Sequence, residues 1–312
     1  MLKISLLGLL VGLILSIAVS DVSAKIVQRI VRGNYASPDR FLHQVSLQFL
    51  TPWGCTHHFC GGSIIDDLHI VTAAHCVTNN VTHKIDNKPI TVVAGTQNLR
   101  DKTSGVYRDV QYIFIPKSYT SNPPGQQNAD IAILRLYERL PLDHPNIRII
   151  NLPADDSRYK APNYPFAVMS GFGVYNQTVD TYSGKVTKGG SSPLLKYSYG
   201  KINTEVTGYY GNLCTPNEVC VVPFNPKRVG EDGGVCQGDS GGPLTDETRN
   251  TLIGVASTTL KEECGILSTY TRVSSYLYFI EVATKGGGAG TVEFEKSEFV
   301  NGSTMWRYPF CE

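Results

Sequence analysis

The chain is predicted to be all-β and built from small antiparallel barrels, on three observations. Short β-branched runs alternate with polar turns over most of its length, the cadence of such barrels. No stretch of helical period stands out before residues 274–284. The 312 residues, 41% of them hydrophobic, can bury a large core in one two-lobed domain or two small ones, and no internal repeat is visible.

Taken in order, Met1-Leu2-Lys3, an apolar run over residues 6–19 and the small residues Val22-Ser23-Ala24 read as a secretory signal peptide, residues 1–24. The run is short for a membrane span, and an uncleaved anchor is the alternative. Lys25 to Arg29 follow, then Ile30-Val31-Arg32-Gly33. The first lobe, about 30–151, carries a strand starting at Gln44-Val45-Ser46-Leu47 and apolar runs over 59–65, 90–94, 109–115 and 130–136. The second, about 152–273, has runs over 166–173, 218–223, 242–245, 252–257 and 268–273, and the helical stretch closes the domain at 284. Residues 285–312 are a Gly-rich linker, Gly286-Gly287-Gly288-Ala289-Gly290, and a tail with Trp306, Tyr308 and Phe310.

A formal net charge of +1 with no basic run excludes nucleic acid as an expected partner. Eight cysteines in a secreted chain permit four disulfides, whose connectivity the sequence leaves open. Cys55, His57, His58 and Cys60 have a competing reading as a zinc site, which the secretory context disfavours. Asn80, Asn176 and Asn301 stand in N-x-Ser/Thr sequons, glycan sites if the host glycosylates.

The chemistry concentrates in three stretches. Gly234-Val235-Cys236-Gln237-Gly238-Asp239-Ser240-Gly241-Gly242-Pro243-Leu244 sets a hydroxyl among glycines whose backbone N–H groups lie within reach of it. A serine needs a base, a group to orient that base, and donors for the oxyanion that forms. Val71-Thr72-Ala73-Ala74-His75-Cys76 offers the imidazole, and Asn128-Ala129-Asp130-Ile131-Ala132 offers the carboxylate at the mouth of an apolar run. Alone, the serine stretch is more simply a Gly-rich turn between two strands, and of the seven histidines the six other than His75 are by default surface or core residues. In the order His, Asp, Ser, over about residues 30–284, the three stretches resemble the chymotrypsin-like serine endopeptidases.

The resemblance implies two six-stranded antiparallel barrels side by side with a C-terminal helix, the trypsin-like fold, and a secreted peptidase needing no cofactor or metal. It assigns His75, Asp130 and Ser240 as the triad and the N–H groups of Gly238 and Ser240 as the oxyanion hole. It pairs Cys60 with Cys76, Cys214 with Cys220 and Cys236 with Cys264, which leaves Cys55 and Cys311 to clamp the tail. It makes Arg29-Ile30 the activation bond and residues 25–29 a short propeptide, the new Ile30 ammonium pairing with Asp239. A cut after Lys25 is the rival, and a never-processed arm the bland alternative. His58, supported by Ser46, matches the residue that holds the aspartate in some zymogens, or is a hydrogen-bonded strand-end histidine. Calcium-binding relatives carry an acidic residue where this chain has Gly95-Thr96, so no calcium is expected.

For specificity, trypsin-like members place aspartate where this chain has Gly234, so a bound cation would find no partner. Val235, Ser257, Thr258, Thr259 and Ser268 match the rest of the substrate site, with Thr259 narrowing it as in elastase-like members. Cleavage after small or medium apolar residues is expected, with aromatic preference as runner-up. Expected partners are protein or peptide substrates, an activating protease and protein inhibitors, for a monomer free of the membrane once the signal is removed. A homologue kept as a binding or regulatory scaffold, and an esterase, remain as other readings.

Overall fold

The computed structural model describes residues 25–28, 33–120, 129–154, 166–180, 183–203, 207–208, 211–212, 214–224, 233–246, 250–259, 264–287, 290–298 and 302–311. The expected signal peptide, the Arg29-Ile30 bond and Asn301 lie outside them.

Two short strands open the described chain, β1 (Lys25–Gln28) and β2 (Asn34–Tyr35). The first barrel follows as β3 (Gln44–Leu50), β4 (Thr56–Ile64), β5 (His69–Thr72), β6 (Thr91–Ala94) and β7 (Val106–Pro116), then the short helix α1 (Lys117–Thr120) and β8 (Ala132–Leu136). The second-lobe strands are β9 (Phe166–Gly171), β10 (Asn176–Val179), β11 (Val186–Lys188), β12 (Lys196–Ile202), β13 (Thr207–Gly208), β14 (Gly211–Asn212), β15 (Glu218–Pro223), β16 (Pro243–Asp246), β17 (Thr251–Thr259) and β18 (Ser268–Arg272). A 3₁₀ turn over Val273–Tyr276 leads into α2 (Leu277–Thr284), so the expected helix begins as a tighter turn. β19 (Val292–Lys296) and a 3₁₀ turn over Gly302–Arg307 complete the chain.

The sheet order β7-β6-β3-β4-β5-β8 closes through β7–β8 pairing, and β9-β12-β15-β18-β17-β16 closes through β9–β16 pairing, which makes two six-stranded antiparallel barrels. β19 is added outside the first on β7, and β2 outside the second on β12. Successive strand residues face opposite ways, so β5 and β8 serve two cores. Ile70, Leu134 and Leu136 fill the first barrel with Leu47, Ile64 and Ile113. Val71 and Ile133 face outward into a second cluster with Phe279 and Ile280 of α2. Full burial of one such side chain contributes about 1.5–3 kcal/mol. A third cluster, with Met169, Val221, Leu244 and Tyr270, fills the second barrel.

β12, unforeseen from sequence, is central to that barrel, pairing with both β9 and β15. The expected propeptide contributes β1, an edge strand antiparallel to β10.

Candidate functional site

β5 and β8 run antiparallel with Thr72 opposite Ala132. Residues just past the end of β5 and just before the start of β8 therefore meet. His75 sits in the 3₁₀ turn Ala74–Cys76 beyond β5, and Asp130 precedes β8. His75 Nδ1–H donates to Asp130 Oδ2 at 2.7 Å, and the His75 backbone N–H donates to Oδ1 at 2.9 Å. Ser257 Oγ also donates to Oδ2, at 2.5 Å, and Thr271 Oγ1 donates to the Asp130 carbonyl at 2.7 Å. The carboxylate is buried, while the imidazole remains 32% exposed. With Nδ1 carrying the proton, Nε2 keeps its lone pair.

Burial lowers the affinity of the imidazole for a second proton, but the charge and hydrogen bond of Asp130 outweigh it, so the His75 pKa lies above its ordinary value. Burial raises the Asp130 carboxyl, and His75 and Ser257 more than reverse that, leaving it below its usual range.

Ser240 lies in the turn before β16. The Gly61 N–H donates to the Ser240 carbonyl at 2.8 Å, and the Gly241 N–H donates to the Ala256 carbonyl at 2.8 Å. A Cβ on Gly241 would stand 2.1 Å from Thr72 Oγ1 and 3.0 Å from the Ala73 nitrogen, so the Ser240 turn packs directly against the segment leading to His75. Among the described residues no hydrogen bond joins Ser240 Oγ to His75 Nε2. Such bonds commonly tighten only when substrate binds.

The peptides on either side of Gly238 are both held. The Val174 N–H donates to the Gln237 carbonyl at 2.8 Å, and His58 Nε2 donates to the Gly238 carbonyl at 2.8 Å. Gly238 takes φ +89°, which few residues other than glycine adopt. Among the described hydrogen bonds neither the Gly238 nor the Ser240 N–H has a protein acceptor, as donors for an oxyanion require.

His58 departs from its expected role. It does not touch Asp239: it grips the Gly238 carbonyl, with Ser46 Oγ on its Nδ1 at 2.8 Å and Gln48 Nε2 on Ser46 at 3.0 Å. Burial lowers its pKa to about 4, so it is neutral, with Nδ1 accepting from Ser46. The Asp239 carboxylate is taken by backbone instead, Oδ1 by the Gly173 N–H at 2.8 Å and Oδ2 by the Cys236 N–H at 2.9 Å. It is 1% exposed, no cation among the described residues reaches it, and burial pushes its pKa up to about 7.

A Cβ on Gly234 would lie 2.7 Å from the Gly265 Cα and 2.8 Å from Pro223, so the pocket floor expected there has no room for a side chain. Val235 is buried beside it. Thr259 pairs with Ser268 across β17 and β18, Thr258 Oγ1 lies 2.7 Å from Thr269 Oγ1, and the Ser268 hydroxyl is buried. Asp232 and residues 260–263 fall outside the described residues. Ser257 was expected only to line the substrate strand; its bond to Asp130 and that of Thr271 carried no sequence signal.

Disulfides join Cys55–Cys311, Cys60–Cys76, Cys214–Cys220 and Cys236–Cys264. Cys55 and Cys60 are thus committed to different bridges and do not combine with His57 and His58 as zinc ligands. Asn80 is exposed, whereas Asn176 is half-buried in β10, with a Cβ on Gly189 placed 1.8 Å from its Oδ1.

Two closed barrels with the His75–Asp130 pair and the Ser240 turn meeting between them are the architecture of the serine protease class. The family model for trypsin matches residues 30–280, and the chain belongs to that family of serine proteases. It is 29% identical over 264 residues to chymotrypsin-C of Bos taurus, covering 81% of this chain and 87% of the relative. It is 30% identical over 264 residues to chymotrypsin-like elastase family member 1 of Felis catus (81% and 88%), and 32% identical over 235 residues to trypsin zeta of Drosophila erecta (73% and 75%). Among solved structures it is similar to human heparin binding protein, with TM-score 0.60, 25% identity, and 82% and 97% of the two chains covered. HL collagenase, at 24% identity and TM-score 0.60 over 81% and 97%, shares the fold.

Proposed function

We propose that the chain is a secreted serine endopeptidase acting through His75, Asp130 and Ser240. The observation that carries this reading is the Asp130 clamp on His75 with the Ser240 turn packed against Thr72 and Ala73. Ser240 Oγ attacks the scissile carbonyl while His75 Nε2 takes its proton. Asp130 fixes the tautomer and stabilises the imidazolium. The N–H groups of Gly238 and Ser240 hold the oxyanion, each contributing about 3–4 kcal/mol. His75 then hands the proton to the leaving amine, and water releases the acyl group by the same steps.

Residues 1–24 form the signal peptide and residues 25–29 the propeptide; cutting Arg29-Ile30 supplies the ammonium that Asp239 lacks. The protease domain runs over 30–284 and is followed by the linker and tail. The closed floor at Gly234 and the Thr259 wall favour small or medium apolar residues before the scissile bond. A pure binding scaffold is disfavoured because every triad residue is retained, and a net charge of +1 offers no long-range pull for a polyanion.

The test is labelling of the mature chain by a serine-acylating reagent, lost in Ser240→Ala, together with cleavage profiling on a peptide library. Equal labelling of the alanine variant would sink the reading. Dominant cutting after Arg or Lys would overturn the pocket, and dominant cutting after Phe or Tyr would show that Thr259 does not narrow it.

A further inference from the structure

The family match ends at residue 280, yet the chain beyond it returns to the first barrel. β19 pairs with β7 from Val292 opposite Pro116 to Lys296 opposite Tyr112. Met305, 3% exposed, packs with Val93 and Tyr107. The Thr56 N–H donates to the Pro309 carbonyl at 2.8 Å, the Cys311 N–H to the Thr56 carbonyl at 2.9 Å, and Cys311 is bonded to Cys55. A segment held at three places is a wall.

That wall bounds a cavity of about 610 Å³, lined on the barrel side by Phe49, Phe59, Cys76 and Ile90 and on the tail side by Met305 and Tyr308. The volume falls within the roughly 300–1,000 Å³ usual for ligand sites. Among the described residues, the ion pair of Lys88 Nζ with Asp86 at 2.7 Å cancels the charge at the rim and leaves the lining predominantly apolar. The position relative to the triad is informative. Cys76 Sγ, in the cavity lining, is 3.9 Å from His75 Nε2. Nε2 is the atom that delivers the proton to the leaving amine, so the leaving-group end of the substrate starts beside the Cys60–Cys76 bridge.

We propose that the C-terminal tail builds a subsite for the leaving-group side of the substrate, a cavity that takes a large apolar residue within the first two positions after the scissile bond. The inference rests on the protease reading above. The tail wall thereby makes residues 302–311 part of substrate selection rather than a trailing extension. Tyr308, half-exposed at the cavity edge, is the contact most open to substitution without disturbing the buried Met305 cluster.

The test compares peptides that differ only in Ala or Phe at each of the two positions after the bond, with an anilide of the same acyl sequence that has no residue there. The readout is the ratio of peptide to anilide kcat/KM in the native protein, in Tyr308→Ala, and in Cys55→Ser combined with Cys311→Ser. The native protein should prefer one Phe peptide about tenfold over its Ala counterpart, and both variants should shrink that preference to about twofold or less. A flat native preference, or one that survives both variants, overturns the inference while anilide turnover and serine labelling still support the protease. Absence of labelling and anilide turnover in the native protein overturns both.

Discussion

Asp239 offers the sharpest test, because its carboxyl is buried with only backbone partners while the chain is uncut. The perturbation is Asp239→Asn in a Ser240→Ala background that cannot process itself. Burial moves the carboxyl from 3.8 to about 7, about three units, and at about 1.4 kcal/mol each the difference is about 4 kcal/mol. A folded pKa above the unfolded one means that the folded form binds the extra proton. Precursor stability should therefore fall as pH rises from about 4 to about 7, then level off. The asparagine variant should lose that slope, whatever its absolute stability. Urea unfolding from pH 4 to 8 reads it directly, and parallel curves for the two proteins would refute the reasoning. In the cleaved enzyme the Ile30 ammonium should draw the carboxyl pKa down and remove the neutral-pH decline. Stability should then be lost on the alkaline side, as pH rises through the raised pKa of the amino group.

Three further outcomes are expected. Activity should fall as pH drops through the raised His75 pKa, placing the midpoint of the acid limb above 6.5, and an acid limb below that value would contradict the Asp130 coupling. Ser257→Ala should move the acid limb upward, since an Asp130 relieved of its 2.5 Å donor stabilises the imidazolium more, while the loss of that donor's hold on the carboxylate orientation lowers kcat by about tenfold; an unmoved pH profile would make Ser257 merely structural. Gly234→Asp should not convert the pocket to Arg or Lys: its Cβ would stand 2.7 Å from backbone, so a loss of about 1–3 kcal/mol in thermal or urea stability is expected, and efficient cleavage after Arg by a stable variant would refute the floor assignment.

Features with a local signature are legible in the amino-acid sequence. The span of β15 and the glycines around Ser240 are local. β12 is not, because Lys196 and Gly200 break its strand pattern; Lys196 is buried there with its ammonium over the rings of Tyr35 and Tyr175. β19 exists because β7 has an open edge far away in sequence, and Gly286 and Gly287, at φ +102° and +78°, turn the chain toward it where composition suggested a loose linker. His58 meets the Gly238 carbonyl one residue away from the aspartate the sequence pairs it with, because backbone donors already hold the Asp239 carboxylate. Ser257 was hidden inside a Ser-Thr-Thr run in which any hydroxyl could have faced the carboxylate.

The bridge between Cys55 and Cys311 spans 256 positions of sequence. Covalently, residues 55–311 thus form a ring closed by that bridge. A single proteolytic nick between Cys55 and Cys311 opens that ring without releasing a piece, whereas one in the exposed β3–β4 loop around Trp53 falls outside it. A nicked molecule keeps its triad on one covalent body, migrates as an intact chain in a non-reducing gel, and falls into fragments only once thiols are added.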